Sequence, residues 1–179
     1  MSTVLELIEK IIEEHKVFVK GFETLDQVIN DAQAMGGLEK AKDTFVPGRL
    51  VQKDGLDKMK EILHTVHSGL KAHFDREETA VLAAFGKHGT EAMHSAFRSL
   101  LLEHTDLRTR LDQCQNEVDE LTSGKLSRHV WEPKAHDTRA YISHTRKLLQ
   151  AHIAIEQELL SDLRRLLSRS VPTGQSDKV

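Results

Sequence analysis

The chain has 179 residues, 39% of them hydrophobic, which suits one domain of ordinary size with a single core. Charged residues make up 30%, the formal net charge is −3, and no uncharged run is long enough to span a bilayer, so we expect no nucleic-acid or membrane partner. The single cysteine, Cys114, excludes an intramolecular disulfide, and the acidic first segment has no signal-peptide features, so a cytoplasmic protein is favoured.

The first predicted element is a helix from about Thr3 to Met35, in which apolar residues recur every three or four positions. Its stripe is Leu5, Ile8, Ile12, His15, Val19, Phe22, Leu25 and Ile29. The Gly-Gly pair at 36–37 ends this helix, and a connector with a Pro-Gly turn at 47–48 follows.

The second predicted helix starts near Asp54, a plausible N-cap, and ends at a turn bracketed by Gly86 and Gly89. Its stripe is Leu56, Met59, Leu63, Val66, Leu70, His73, Glu77, Ala80 and Ala84. The third helix starts near Thr90, another N-cap, and ends at Ser123-Gly124. Its stripe is Met93, Phe97, Leu100, His104, Leu107, Leu111, Cys114, Val118 and Leu121.

The fourth predicted helix begins around Pro133, because proline is tolerated in a first turn. Its stripe is Thr138, Tyr141, Thr145, Leu148, His152, Ile155, Leu159, Leu163 and Leu166. Four long helices with mostly short links predict an all-α fold, an up-down-up-down antiparallel four-helix bundle. We assign residues 1–168 to the bundle and 169–179 to a polar C-terminal tail.

Each stripe contains one histidine at a core-facing position: His15, His73, His104 and His152. Measured from the shared turns, paired histidines differ in height by about two residues, or roughly 3 Å at the α-helical rise. The four therefore fall in one layer of the bundle. One such histidine alone would be read as buried and hydrogen-bonded to a neighbour, but a layer of four imidazoles is costly without partners.

Two glutamates share this layer, because Glu77 follows His73 by four residues and Glu156 follows His152 by four. The combination favours a metal site over a hydrogen-bond network. Since each helical hairpin supplies an equivalent set, we expect two ions related by a pseudo-twofold axis. Imidazole and carboxylate suit iron, manganese or zinc, and the set leaves coordination positions open for water, dioxygen, peroxide or nitric oxide.

Residues near the predicted ligands also have expected roles. Glu14, Glu78 and Glu103 are candidates to accept hydrogen bonds from the far N–H groups of the imidazoles. Arg108 either faces the pocket edge or forms a surface salt bridge. His144 is expected to be a polar partner in the core or at a channel mouth. The apolar residues expected to line the pocket are Leu70, Phe74, Leu100, Leu107, Leu148 and Ile155.

The motif order resembles the hemerythrin-like family, also called HHE cation-binding domains. The matching segments are His15, HFDRE at 73–77, EHTDL at 103–107 and HIAIE at 152–156. The resemblance covers about residues 3–168. It implies a non-heme di-iron centre, two iron ions with an oxo or hydroxo bridge, in a four-helix bundle. It also implies that the four histidines are terminal ligands and that Glu77 and Glu156 bridge.

The chain departs from the oxygen-carrying hemerythrins, which have a second histidine one turn away on the third helix. Here those positions hold Leu100 and Arg108, and the last motif ends at Glu156 instead of a more distant aspartate. The chain is therefore similar to a four-histidine bacterial variant linked to peroxide or nitric oxide handling. Reversible oxygen carriage is disfavoured, because a second open site lets bound oxygen species react further.

Three classes of function remain open. The first is an enzyme with catalase-like peroxide disproportionation or nitric oxide reduction. The second is a non-catalytic carrier or sensor of dioxygen, nitric oxide or iron. The third is a structural bundle with an adventitious metal. For any of them we expect a monomer or a weak homo-oligomer.

Overall fold

The computed structural model of the protein describes residues 2–30 and 50–169, with side chains at 3–25, 57–127 and 129–169. Every element in these ranges is helical: α1 (Ser2–Asn30), α2 (Leu50–Arg76), a π-helical segment (Glu77–Val81), α3 (Leu82–His88), α4 (Glu91–Leu101), α5 (Glu103–Thr122) and α6 (Arg128–Arg169). The predicted 36–37 and 47–48 turns and the tail beyond Arg169 lie outside the described residues.

These elements form four rods, because α2, the π-helical segment and α3 follow one another, as do α4 and α5. α1 packs against α2 and α6, and α5 packs against the same two helices, so the rods form a closed ring. The predicted all-α antiparallel four-helix bundle is confirmed. Within 2–30 and 50–169, none of the helices is both long and apolar enough to cross a membrane.

Two hydrophobic clusters fill the bundle on either side of a polar layer. The larger contains Phe18, Phe22, Leu25, Met59, Leu63, Val66, Leu70, Phe74, Leu107, Leu111, Cys114, Val118, Ile142, Leu149 and Ile153. The smaller contains Ile8, Ile11, Val81, Ala84, Phe85, Phe97, Leu160, Leu163 and Leu167. On each rod the change from one cluster to the other falls where the sequence predicts a ligand. Burial of these side chains holds the rods together and so sets the height of the polar layer.

Helix beginnings were predicted with mixed success. Thr90 caps α4 as expected, since its Oγ1 accepts a hydrogen bond from the Met93 amide at 3.2 Å. The prediction of Asp54 as an N-cap is wrong, because α2 already begins at Leu50. Gly86 lies inside α3 and does not open the predicted turn.

The predicted start of the fourth helix at Pro133 is also wrong, because α6 begins at Arg128 and contains the proline. The Ser127 carbonyl accepts hydrogen bonds from the amides of Val130 and Trp131. The Trp131 indole is buried and donates to the Leu121 carbonyl at 3.0 Å. The two local backbone bonds and the indole bond to α5 together hold the helical turn that precedes the proline.

The predicted third helix is interrupted at Leu102, which separates α4 from α5. The Leu102 amide donates to the Ser99 carbonyl, a tighter turn than an α-helix makes, and its side chain is 78% exposed. No glycine or proline marks this break in the sequence. It falls immediately before Glu103 and His104, at the start of the EHTDL segment.

Two of the predicted stripes are rotated slightly in the structure. On α1, Ile11 and Phe18 are buried, whereas the predicted Ile12 and Val19 are only partly buried. On α6 the buried residues are Ile142, Leu149 and Ile153, while Tyr141 and Leu148 pack at the edge of the core. A 3.6-residue period leaves neighbouring apolar positions ambiguous, and packing decided between them.

Candidate metal centre

Six polar side chains converge in the layer between the two clusters, and all are at most 1% exposed. Each rod contributes one histidine, and the second and fourth rods each add a glutamate. They are the six residues predicted from the sequence: His15, His73, Glu77, His104, His152 and Glu156. On α1, for example, His15 lies between Ile11 of the smaller cluster and Phe18 of the larger one.

One half of the layer is built by His15, His73, Glu77 and Glu156. His15 Nε2 lies 3.0 Å from His73 Nε2 and 3.0 Å from Glu156 Oε2. Glu77 Oε1 lies 2.5 Å from His73 Nε2 and 3.7 Å from His15 Nε2. Two nitrogens bound to one cation at right angles, each about 2.1 Å from it, would be about 3 Å apart, so this spacing fits a shared ion.

The other half is built by Glu77, His104 and His152, and in both halves the potential ligand atoms lie within 4.8 Å of one another. His104 Nε2 is 3.2 Å from His152 Nε2 and 3.2 Å from Glu77 Oε2. Glu156 Oε2 is 4.0 Å from His152 Nε2. Glu77 thus directs one oxygen toward each pair of histidines and belongs to both groups of potential ligands.

Glu77 begins the π-helical segment, a feature that the sequence did not predict. The segment inserts a wider turn between α2 and α3, and its Thr79 Oγ1 donates to the carbonyl of Asp75, near the end of α2, at 2.7 Å. Glu77 and Val81 are the buried residues of this turn. The Thr79 hydroxyl is only a weak sequence signal for a π-helical turn, because serine and threonine form the same contact in ordinary α-helices.

Three of the four imidazoles bind a carboxylate through the outer nitrogen, as predicted from Glu14, Glu78 and Glu103. The Nδ1 atoms of His73, His104 and His152 lie respectively 2.8, 2.9 and 3.0 Å from oxygens of these glutamates. In a neutral ring this contact favours the proton on Nδ1 and leaves a lone pair on Nε2, the form that binds a metal.

The inward-facing atoms of neutral rings therefore repel one another unless a cation or a proton lies between them. His104 Nε2 and His152 Nε2 face each other with a lone pair each. Apart from these imidazoles, no described residue donates a hydrogen bond to either carboxylate oxygen of Glu77 or Glu156. Buried polar atoms without partners are costly, so the chemistry of this donor set fits bound metal ions.

The pKa values of His15, Glu156 and Glu77 also indicate that the buried layer is stabilised by positive charge. Burial would lower the pKa of His15, but the carboxylates of Glu156 and Glu77 raise it to about 9. Burial raises the pKa of Glu156 to about 7. Burial would also raise the pKa of Glu77, but the imidazoles of His104, His15 and His73 hold it well below its usual range. Without metal, protons occupy the place of cations.

We therefore predict that metal affinity increases with pH. Below pH 7 both His15 and Glu156 carry a proton that metal must displace, and between pH 7 and 9 only His15 does. Affinity should change by about tenfold per pH unit for each proton released. Anaerobic ferrous titrations at pH 6 and pH 8, with the released protons measured, test this. Equal affinity at both values, with no proton release, would contradict it.

Other predicted residues have mixed outcomes. Arg108 forms salt bridges with Glu78 and Asp75 and covers the Phe74 ring at 5.2 Å, so it belongs to the support of His104. His144 is not the predicted core partner, because its side chain is exposed and Thr145 takes the core position, while its predicted place at a channel mouth stays a prediction.

Of the predicted pocket lining, Leu70, Phe74, Leu100 and Leu107 are buried. Leu148 is partly buried. The prediction that Ile155 lines the pocket is wrong, since its side chain is 49% exposed and Ile153 is buried in its place.

Comparison with known families agrees with the sequence resemblance. The family model described as the hemerythrin HHE cation binding domain matches residues 6–163, which is most of the chain. No curated protein and no solved structure gives a significant match. The matched range includes all six residues of the buried layer.

Proposed function

Since the chain belongs to the hemerythrin HHE cation binding domain family, we propose that it is a non-heme di-iron protein that reacts with or binds peroxide, dioxygen or nitric oxide. Cation binding follows from the family, and the buried cluster can hold a metal ion. The pair of iron ions and the small-molecule ligands are the parts that we propose.

The position of Glu77 is the observation that carries this proposal. Its two oxygens face different histidine pairs, and it is the residue shared by both groups of potential ligands. A single ion would leave one oxygen and one histidine pair without a partner. Two ions use every inward-facing donor, and iron, which suits imidazole with carboxylate, supplies redox chemistry and open coordination positions.

The protein around the layer holds the imidazoles in place and limits access of water. The Phe74 ring stacks on His104 with centroids 4.1 Å apart and meets the edge of His152 at 6.1 Å. Leu70 and Leu107 are at most 3% exposed beside it. This apolar wall limits the access of water to the imidazoles and so strengthens electrostatic interactions in the layer.

The residues of the third rod also argue for an open coordination position at the proposed centre. The residues one turn from His104 are Leu100, which is buried in the core, and Arg108, whose guanidinium is engaged by Glu78 and Asp75. Neither can supply a further imidazole. The number of protein donors is thus too small to fill two octahedral shells, as small-molecule chemistry requires.

Anaerobic loading with ferrous iron tests the proposal, followed by metal analysis, an absorption spectrum after oxidation and measurement of oxygen released from peroxide. We expect about two irons per chain and near-ultraviolet bands, with zinc-loaded protein as the redox-inactive control. Oxygen release indicates a reaction, whereas reversible spectral changes with dioxygen or nitric oxide alone indicate a carrier or sensor. Fewer than about 1.5 irons per chain would contradict the di-iron centre.

A further inference from the structure

The bundle has four grooves, each between two adjacent rods. Whether and how a carboxylate contacts the outer nitrogen of the histidine differs from one groove to the next. The His73–Glu14 contact crosses from α2 to α1, and Arg76 binds Glu14 at 2.7 Å. The His152–Glu103 contact crosses from α6 to α5.

The groove between α5 and the second rod is closed most completely. His104 binds Glu78, and Arg108 binds the same Glu78 oxygen at 2.5 Å while covering Phe74. We call Glu78 and Arg108 the carboxylate–arginine seal.

The fourth groove, between α1 and α6, has no such contact. His15 Nδ1 is buried and has no hydrogen-bond partner among the described residues. A cleft of about 540 Å³ lies in this groove, and His15 is part of its lining. Exposed lysines at positions 16 and 20 form part of its outer wall, and Ile153 and Ala154 form part of its α6 side.

The pseudo-twofold relation between the two hairpins explains why this groove is open. Gln157 follows His152 by five residues, as Glu78 follows His73 by five. Val19 follows His15 by four residues, as Arg108 follows His104 by four. Gln157 and Val19 both line the cleft, so an amide and an isopropyl group stand where the carboxylate–arginine seal would be.

We propose that the cleft between α1 and α6 is the access path by which small neutral or singly charged ligands reach the metal centre, with His15 at its inner end. The path is open because Val19 and Gln157 replace the seal that closes the opposite groove. The inference rests on the proposed function for its main measurement, which is ligand binding to the iron-loaded protein. A second measurement needs no metal.

The main test installs the missing seal with the double variant Val19→Arg/Gln157→Glu. Stopped-flow mixing of the iron-loaded diferric protein with azide measures the association rate. We expect unchanged iron content and association slower by about tenfold or more, because the ligand must wait for the seal to open. The matched control is Val17→Arg/Ala151→Glu, which makes the same charge changes at exposed positions of the same helices outside the cleft lining and should keep the wild-type rate.

Ala154→Trp fills the cleft without adding charge and covers the case in which the double variant does not fold. In the metal-free protein above pH 9, where the His15 imidazole is mostly neutral and can react, carbethoxylation mapped by mass spectrometry should modify His15 faster than its pseudo-symmetric counterpart His104. Both cleft variants should remove this difference. A folded, iron-loaded cleft variant that binds azide at the wild-type rate would overturn the access path while leaving the di-iron function intact.

If wild-type protein holds no iron pair, the proposed function fails and the carbethoxylation result alone decides the path. His15 that is no more reactive than His104 in the metal-free wild type would then overturn it.

Discussion

Replacing Glu77 with glutamine should remove both metal ions. Glu77 belongs to both groups of potential ligands, with Oε1 beside His73 and Oε2 beside His104. The amide has no charge and can offer only one oxygen, so one histidine pair would face an NH₂ group. We expect iron content to fall from about two per chain to below about 0.5, measured by metal analysis after anaerobic loading.

Two further variants make this result specific. His152→Ala leaves the group of His15, His73, Glu77 and Glu156 complete, so it should retain about one iron per chain. Glu158→Gln removes the same charge at an exposed position of α6, and it should load as wild type does. If Glu77→Gln keeps both irons and the wild-type spectrum, Glu77 is not a bridging ligand.

Removing the metal should lower the melting temperature substantially. Without cations, six polar side chains that are at most 1% exposed lose the partners that offset their burial. A ligand present at a thousandfold excess over its Kd stabilises the folded state by about 4 kcal/mol. For a chain of this size, that corresponds to a change of about 10 °C in Tm.

Circular-dichroism melts with and without a strong iron chelator measure this change. Glu77→Gln provides the control, because a variant that holds no metal should melt at the same temperature in both conditions. An unchanged Tm for wild-type protein after verified iron removal would mean that the polar layer does not depend on metal for its stability.

Much of the fold could be predicted from the sequence, because helix periodicity is a local property. The stripes around His15, His73, His104 and His152 indicated four helices and one polar layer, and the structure brings these side chains together. The prediction of the hemerythrin family is confirmed by the matching family model. That the six residues bind metal, and that they form the four-histidine variant, are still predictions.

The errors fall where a local pattern was compatible with more than one arrangement. The predicted stripe of the fourth helix contains Ile155, but contact with the other rods buries Ile153 and leaves Ile155 exposed. The start of α6 before Pro133 depends on the indole of Trp131 reaching the Leu121 carbonyl. This contact joins two helices across the turn between them, and helical spacing along either helix alone does not predict it.

The sequence by itself determined the helices, the common height of the four histidines and the two His-x-x-x-Glu pairs, because rise and period depend on neighbours along one helix. Only the tertiary structure decided which oxygen of Glu77 faces which histidines, and which outer nitrogen finds a carboxylate. It also decided that the groove beside His15 is open. These features depend on the rotation of each rod about its axis, which is set by packing against the other three rods.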